Sequence, residues 1–453
     1  MYKTKYILQH TINNKILLLH LLTFKIILLT EEDSQYWINN EFHRISVYLI
    51  LQEHKFIVYK DDLIERAKEH LSNKGNLCPT SVVFLTDECN QSCPYCFEKE
   101  IDSLNEYGVT LSKRDLDNIL DGVQKTNLHK KCLDGSIVIF GGEPLLKKNK
   151  NIVKYFLENI KERALQKITI VTNGTTLNYY KDILYTYTPQ IHGIVITLNG
   201  FGEIHERIRG SENNPTFHKI IENIKECLRS NSTFNIQINI LLEKRNITEL
   251  EQLMIYLEQQ GISTNSRTSV ILGRIQSRTD PFQSNYSNAL PYVDYYSSII
   301  NNYHNNTHIN KNMVEGSEVG ILGKIYKSWY TGDIVLPRFK GCEAVYPGRI
   351  CYFVDGFIYP CTEIVGNKQH AIGEFKRGSS FNSKFNDWIN YDLNNLKCNT
   401  CKYIGMCSGA CPVTNISVNN NIDDVYCLDM EKSILNFLKS IEAKEILNDG
   451  III

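Results

Sequence analysis

The sequence predicts an α/β protein built on a parallel sheet, and three observations carry that expectation. From residue 81 onward, β-rich runs alternate with helical segments. The spacing suits right-handed crossovers between parallel strands. The unusual polar residues fall at the C-terminal ends of the expected strands, the edge at which parallel α/β folds bind ligands. The expected strands are 82–85, 137–140, 168–171, 193–198, 234–240 and 268–272. Segments 112–123, 152–165, 178–184, 217–228 and 247–259 carry helical periodicity between them. Such units fit either a partial (β/α) barrel or an open doubly wound sheet, because periodicity alone does not separate the two.

At 453 residues the chain can hold two or three domains with sizeable cores. Residues 1–77 read as a small separate α+β unit, with strands at 6–8, 15–19 and 24–29, helices at 31–39 and 45–52, and a strand at 55–59. Gly75-Asn76 then punctuates the chain, and the barrel or sheet region is expected over 78–273. Residues 274–341 are polar and irregular, as in Asn301-Asn302-Tyr303-His304, and read as a helical linker. A cysteine-rich domain follows over 342–453, closed by a helix at 428–447.

Hydrophobic residues make up 42% and charged residues 22%, which places the chain among ordinary globular proteins. Lys and Arg (49) balance Asp and Glu (50), so no net charge draws the chain to nucleic acid. The first thirty residues differ, carrying Lys3, Lys5, Lys15 and Lys25 and no acid. Residues 17–29 are rich in Leu and Ile, but His20, Thr23 and Lys25 interrupt them, well short of the roughly 20 apolar residues of a membrane span. No small-residue cleavage site follows. The run therefore reads as buried strands in a cytoplasmic chain. Of 14 cysteines, all but Cys78, Cys132 and Cys227 fall in two clusters. In a reducing compartment, such clustering points to metal or redox chemistry rather than disulfides.

Cys89, Cys93 and Cys96 follow the first expected strand with CxxxCxxC spacing. Three thiolates hold three corners of a four-iron cluster and leave one iron open for a small molecule. After the second strand come Gly141, Gly142, Glu143 and Pro144; paired glycines let backbone approach a ligand, and the carbonyls with Glu143 can receive an ammonium. Thr172 and Asn173 after the third strand can hydrogen-bond a ribose or carboxylate. Asn199-Gly200 follows the fourth strand and Asn239 lies near the end of the fifth. Arg207 and Arg209, in His205-Glu206-Arg207-Ile208-Arg209-Gly210, can pair with a carboxylate. Each also has a plain reading: Gly-Gly and Asn-Gly are turn signals, and arginines commonly form a solvated face. The C-terminal CxxC pairs also suit structural zinc.

Together these residues resemble the radical S-adenosylmethionine (radical SAM) enzymes. CxxxCxxC with Tyr95 before its last cysteine, then Gly141 to Pro144, carries the resemblance. Thr197-Leu198-Asn199-Gly200 through Gly210, and Gln237-Ile238-Asn239, resemble the peptide-modifying branch. Cys342, Gly356 and Cys361, then Cys398, Cys401, Cys407 and Cys411, then Cys427, resemble the SPASM domain that binds auxiliary clusters.

The resemblance implies a partial (β/α)6 barrel in which Cys89, Cys93 and Cys96 hold a [4Fe–4S] cluster chelated by S-adenosylmethionine. Gly141 to Pro144 would hold the methionine amine, with Thr172, Asn173, Thr197, Asn199, Arg209 and Asn239 as further cofactor-binding candidates. An electron would cleave the cosubstrate to a 5′-deoxyadenosyl radical, which abstracts a substrate hydrogen. Cys351 would complete eight thiolates for two auxiliary clusters. Asn199 departs from the Asp of many relatives, and Cys78, Cys132 and Cys227 stay core or surface thiols. The expected activity is maturation of a ribosomally made precursor peptide, gripped by a winged-helix-like N-terminal unit, with a flavodoxin- or ferredoxin-type electron donor. The alternatives are a sulfatase-maturing-type enzyme that forms formylglycine and a zinc-stabilised binding protein without catalysis.

Overall fold

The computed structural model describes residues 1–62, 64–65, 79–101, 108–129, 135–165, 167–275, 286–303, 306–309, 313, 321–326, 328, 342–345, 348–427 and 429–442. Cys78, Cys132, the Gly75-Asn76 boundary and most of 304–341 lie outside the described residues. The chain divides into two compact units: Met1–Gly75 with Pro291–Cys342 and Asp392–Ile453, and Asn76–Leu290 with Glu343–Tyr391.

In the first unit, β1 (Tyr2–Lys3) precedes the antiparallel meander β2 (Ile7–Ile12), β3 (Lys15–His20) and β4 (Ile26–Leu28). Helices α1 (Glu31–Ile38) and α2 (Tyr48–Glu53) follow, then β5 (Ile57–Val58), which pairs antiparallel with β1. The leucine-rich run is indeed buried strand: Leu17, Leu18 and Leu19 are wholly buried. Packing of Trp37, Phe42 and Phe56 with Leu18 and Ile27 supplies the small core. Thr30 caps α1 by accepting from Asp33 N at 3.1 Å, which satisfies one of the helix's orphan N–H groups. The Asp33 carboxylate in turn receives Ser46 N at 2.7 Å and the Ser46 hydroxyl, and Ser34 Oγ accepts Ile16 N at 2.9 Å, tying α1 to β3.

The second unit carries the alternation that the sequence predicts: β6 (Thr80–Phe84), α3 (Lys113–His129), β7 (Ser136–Phe140), α4 (Lys150–Glu162), β8 (Ile168–Thr172), α5 (Lys181–Thr186), β9 (Ile191–Thr197), α6 (Glu203–Arg209), α7 (Phe217–Arg229), β10 (Asn235–Leu242), α8 (Leu250–Gln259) and β11 (Thr268–Arg274). Ser112 and Asp115 form a reciprocal capping box before α3, Ser112 N donating at 3.0 Å and Asp115 N at 3.2 Å. Strands β6 to β11 lie side by side in chain order and pair in parallel. A doubly wound sheet requires a reversal of strand order, whereas barrel winding proceeds in one direction, so the order decides for the (β/α) barrel type. Beyond β6 the sheet continues through β12 (Arg349–Tyr352), parallel to β6, and then β13 (Phe357–Tyr359), β14 (Gly373–Glu374) and β15 (Ser380–Phe381), all antiparallel. Along β7 to β10, Ile137, Ile139, Ile170, Ile194, Ile196, Ile236 and Ile238 are buried on one face. The alternate positions Val195, Thr197, Gln237 and Asn239 are only half-buried and partly polar, which marks the concave face.

Two local expectations change. The segment expected as one helix from 178 is a 3-10 turn, Leu177–Tyr180, leading into α5. The helix expected from 247 starts at Leu250, because the Asn246 side chain accepts Glu243 N at 2.8 Å and holds a turn there. In the first unit, α9 (Tyr292–Tyr303) occupies part of the expected linker; α10 (Pro412–Asn419) and the closing helix α11 (Met430–Glu442) follow, with Tyr296 of α9 edge-on to Phe437 of α11.

His20 is wholly buried, and its Nδ1 accepts Leu22 N and Thr23 N at 3.2 Å each, so the ring is held neutral. Burial, the largest cause, depresses its pKa to about 4. The unfolded chain therefore takes up the proton first as pH falls. Stability of the β3–β4 region is full above pH 6.5 and declines as pH drops from there toward 4, by about 1.4 kcal/mol per pH unit. Amide-exchange protection of β3 and β4 in the full chain should show this decline, and His20→Asn, which keeps an acceptor but does not titrate, should flatten it.

Candidate active site

The cysteine loop leaves the C-terminal end of β6 and is gripped on two sides by glycines. Gly142 has φ +43°, and a Cβ there would stand 2.2 Å from Glu88 O. Gly210, at the C-terminus of α6, has φ +64°, and a Cβ there would stand 2.5 Å from Ser92 O. Only glycine permits both the backbone conformation and the approach. The seam is closed by Glu143 N donating to Glu88 O at 2.8 Å and Gly142 N donating to Glu98 Oε2 at 2.8 Å.

Glu143, expected to receive an ammonium, is also tied into the fold. It is fully buried, and its carboxylate accepts Thr172 Oγ1 at 2.6 Å, Asn173 N at 2.6 Å and Leu145 N at 2.9 Å. Burial raises its pKa while these donors favour the anion. The side chain is thus a strut between the ends of β7 and β8. Pro144 is buried beside it, its carbonyl accepting Asn149 Nδ2 at 3.3 Å. Asn173 extends the strut to the cysteine loop, donating to Asn90 Oδ1 at 2.7 Å, and its own Oδ1 receives Thr175 N at 3.0 Å.

On the other side, Arg209 is buried and donates through Nε (3.0 Å) and Nη2 (2.7 Å) to Gln91 Oε1 and through Nη1 (2.7 Å) to Tyr95 Oη. Asn199, also buried, donates from Nδ2 to Tyr95 Oη at 2.7 Å and accepts Leu241 N at 3.0 Å. His205 Nδ1 accepts Asn199 N at 3.2 Å, and burial followed by the Arg209 charge depresses its pKa to about 3, so it stays neutral. The polar run 205–210 lies on α6, which points His205, Glu206 and Arg209 inward. Arg207 faces solvent with Glu203, as its plain reading had it. Glu206 caps α7, accepting Thr216 N at 2.9 Å and Phe217 N at 2.7 Å. Register sets Thr197 beside Asn239 on the half-buried face, where Asn239 Oδ1 accepts Gln237 Nε2 at 2.7 Å.

Gln91, Glu98, Asn246 and the group Glu243, Arg245 and Tyr286 escape sequence reasoning. The buried Glu243 carboxylate joins Arg245 and the Tyr286 hydroxyl just after β10, and the Tyr286 ring meets Tyr95 edge-on at 5.9 Å. A Glu-x-Arg spacing was the one available signal.

Burial, then the Glu143 charge, pushes the Cys89 thiol up to about 12, against the pull of Gln91 N and Arg209. Metal binding must remove that proton. Among the described residues no three His, Cys, Asp or Glu side chains close into a cage for a single ion. The donor set, three thiols on one clamped loop, suits instead a cluster that bridges wider spacing. In the first unit, Cys398 and Cys407 each feel the charge of Cys427 and of one another or Cys401, burial being the larger influence on both. Cys411 stands at the N-cap of α10, and Cys342 is half-buried. In the second unit, Cys351 is wholly buried on β12 between β6 and β13, and its thiol is raised by burial and then by Cys361. Cys227 is a buried core thiol on α7.

Residues 83–257 match the Radical SAM superfamily. A GTP 3′,8-cyclase of Rhizobium leguminosarum bv. trifolii is 24% identical over 205 residues, 44% of this chain, which spans 54% of that relative's length. The fold matches anSMEcpe with bound AdoMet and Cp18Cys peptide at TM-score 0.56 and 17% identity, over 82% of this chain and 99% of that one. It also matches Streptococcus suis SuiB bound to precursor peptide SuiA at TM-score 0.54 and 18% identity, over 95% and 99%. No helix among the described residues is long and apolar enough to cross a membrane.

Gly142→Ala or Gly210→Ala should displace the cysteine loop, destabilising it by more than about 1 kcal/mol and lowering iron bound per chain after anaerobic reconstitution. Gly193→Ala, where the nearest atom to a new Cβ is 3.5 Å away, should retain wild-type iron.

Proposed function

Because this chain carries a radical SAM domain at residues 83–257, we propose that it is a maturase that modifies a ribosomally made precursor peptide. Cys89, Cys93 and Cys96 are the ligands of a [4Fe–4S] cluster that, when bound, supplies the electron for reductive cleavage of S-adenosylmethionine. The protein's own contribution is placement. Gly142 and Gly210 seat the loop, Glu143 stiffens the edge on one side, and Arg209 with Gln91 and Tyr95 offers positive charge on the other. The half-buried face with Thr197 and Asn239 lines the side from which a substrate would approach. Arg209 also favours the thiolate form of Cys89 that an iron ligand requires.

The observation that carries the peptide reading is the N-terminal unit. Among the described residues, β4 pairs with β3 alone, leaving an edge for strand addition; Lys15 opens β3 and Lys25 directly precedes β4. These features suit an acidic leader. Support comes from the fold shared with SuiB over 95% of this chain, since that protein was solved with a precursor peptide. In this reading residues 1–77 recognise the leader, 78–273 form the barrel, 274–341 connect, and 342–453 are a SPASM domain. Cys342, Cys351, Cys361, Cys398, Cys401, Cys407, Cys411 and Cys427 are the eight candidate thiolates for auxiliary clusters. A flavodoxin- or ferredoxin-type donor and a cytoplasmic setting complete the proposal. A nucleotide substrate is the second reading, favoured by the similarity to the GTP 3′,8-cyclase.

Anaerobically reconstituted protein should be brown, with about twelve irons per chain if three four-iron clusters fill, and should release 5′-deoxyadenosine from S-adenosylmethionine. Replacing Cys89, Cys93 and Cys96 by Ala should remove about four irons and abolish that release. Retained 5′-deoxyadenosine in this variant contradicts the assignment. Incubation with peptides encoded beside this chain, and separately with GTP, decides the substrate: consumption of GTP alone, read as a new chromatographic peak because cyclisation leaves the mass unchanged, sinks the maturase reading, and a peptide aldehyde in place of a cross-link or epimer favours the formylglycine type.

A further inference from the structure

The Tyr95 hydroxyl occupies an unusual position among its neighbours. Arg209 Nη1 and Asn199 Nδ2 both reach its oxygen at 2.7 Å. A guanidinium has only donors. The orientation of the Asn199 amide is set independently, because its Oδ1 accepts Leu241 N at 3.0 Å, which turns Nδ2 toward Tyr95. Neither neighbour can therefore receive the hydroxyl proton, and no other acceptor meets it among the described residues. The tyrosine is half-buried, its ring held edge-on by Tyr286 at 5.9 Å.

We propose that the Tyr95 hydroxyl donates a hydrogen bond to the carboxylate of the bound cosubstrate, its proton directed outward by the paired donors of Asn199 and Arg209. The assignment rests on the radical SAM reading. An anionic acceptor is indicated because Arg209 uses three of its five N–H groups on Gln91 and Tyr95 and keeps two, so whatever faces the hydroxyl also faces positive charge. Asn199 is the switch for this arrangement. An aspartate in its place can only accept, so it would capture the tyrosine proton and leave the ligand facing a lone pair. The choice of amide over acid at position 199 thus sets the direction of the bond at Tyr95, and Asn199 acts as a positioning residue.

The test compares two ligands on each protein: S-adenosylmethionine and its decarboxylated analogue, titrated calorimetrically into the full-length, cluster-loaded chain without oxygen. In Tyr95→Phe and in Asn199→Asp, the preference for the carboxylate-bearing ligand should fall about 10-fold, the usual worth of one hydrogen bond to a charged group. Affinity for the analogue should stay near wild type. A ratio unchanged in either variant overturns the proposal, including the case in which both affinities fall together through a merely structural role. Because each ratio comes from one preparation, partial misfolding cancels. Wild-type protein that holds its cluster yet binds neither ligand would instead sink the radical SAM reading, and the proposal with it.

Discussion

The arrangement of this site depends on a close approach of backbone to backbone. The cysteine loop passes between two glycines that come from different elements, one at the end of β7 and one at the end of α6, and each leaves no room for a Cβ against the loop's carbonyls. A loop placed by side-chain packing alone can shift as rotamers change. One wedged between main chains moves only if a strand end or a helix end moves with it, and those ends are held by the sheet and by the capping of α7 through Glu206. Rigid seating matters for the proposed site because three thiolates would have to reach one cluster, and small displacements of a positioned group are costly to binding and chemistry alike.

Around that seam the polar residues divide into braces and candidates for ligand contact. Glu143, Asn173 and Glu206 are engaged by internal donors, which offset the penalty of burying a carboxylate or amide. Arg209 and Tyr95 are engaged as well, yet retain donors beyond their internal bonds. The neutral His205 completes the scaffold by accepting the Asn199 N–H, so a single element, α6, contributes the brace, the cap and the cation.

The small N-terminal unit follows a different logic. Its core is a short meander covered by two helices, and polar ties such as Asp33 to Ser46 and Ser34 to Ile16 N do part of the work that a larger hydrophobic core would do. Burying His20 there trades pH tolerance for a turn whose N–H groups are satisfied without water.

Periodicity and turn residues by themselves determined the strands and helices of the parallel sheet, the buried nature of residues 17–29, and the clustering of polar residues at one edge. These are local properties, governed by which side chains repeat with the pleat or the helical turn. The CxxxCxxC spacing likewise put three thiols on one loop. Tertiary structure alone decided the winding: strand order separates a barrel from a doubly wound sheet, and order depends on pairing between segments far apart in the chain. It also decided what each polar group does. Gly142 also packs one loop against another, and Glu143 also braces two strand ends, neither of which is legible in sequence; Arg207 and Arg209, two residues apart, part ways because a helical turn sends one to solvent and the other to Gln91. Partners such as Gln91 with Arg209, or Asn199 with Tyr95, lie more than a hundred residues apart. No local pattern encodes such pairs, since the hydrogen bond exists only after the sheet has brought the two loops to the same edge.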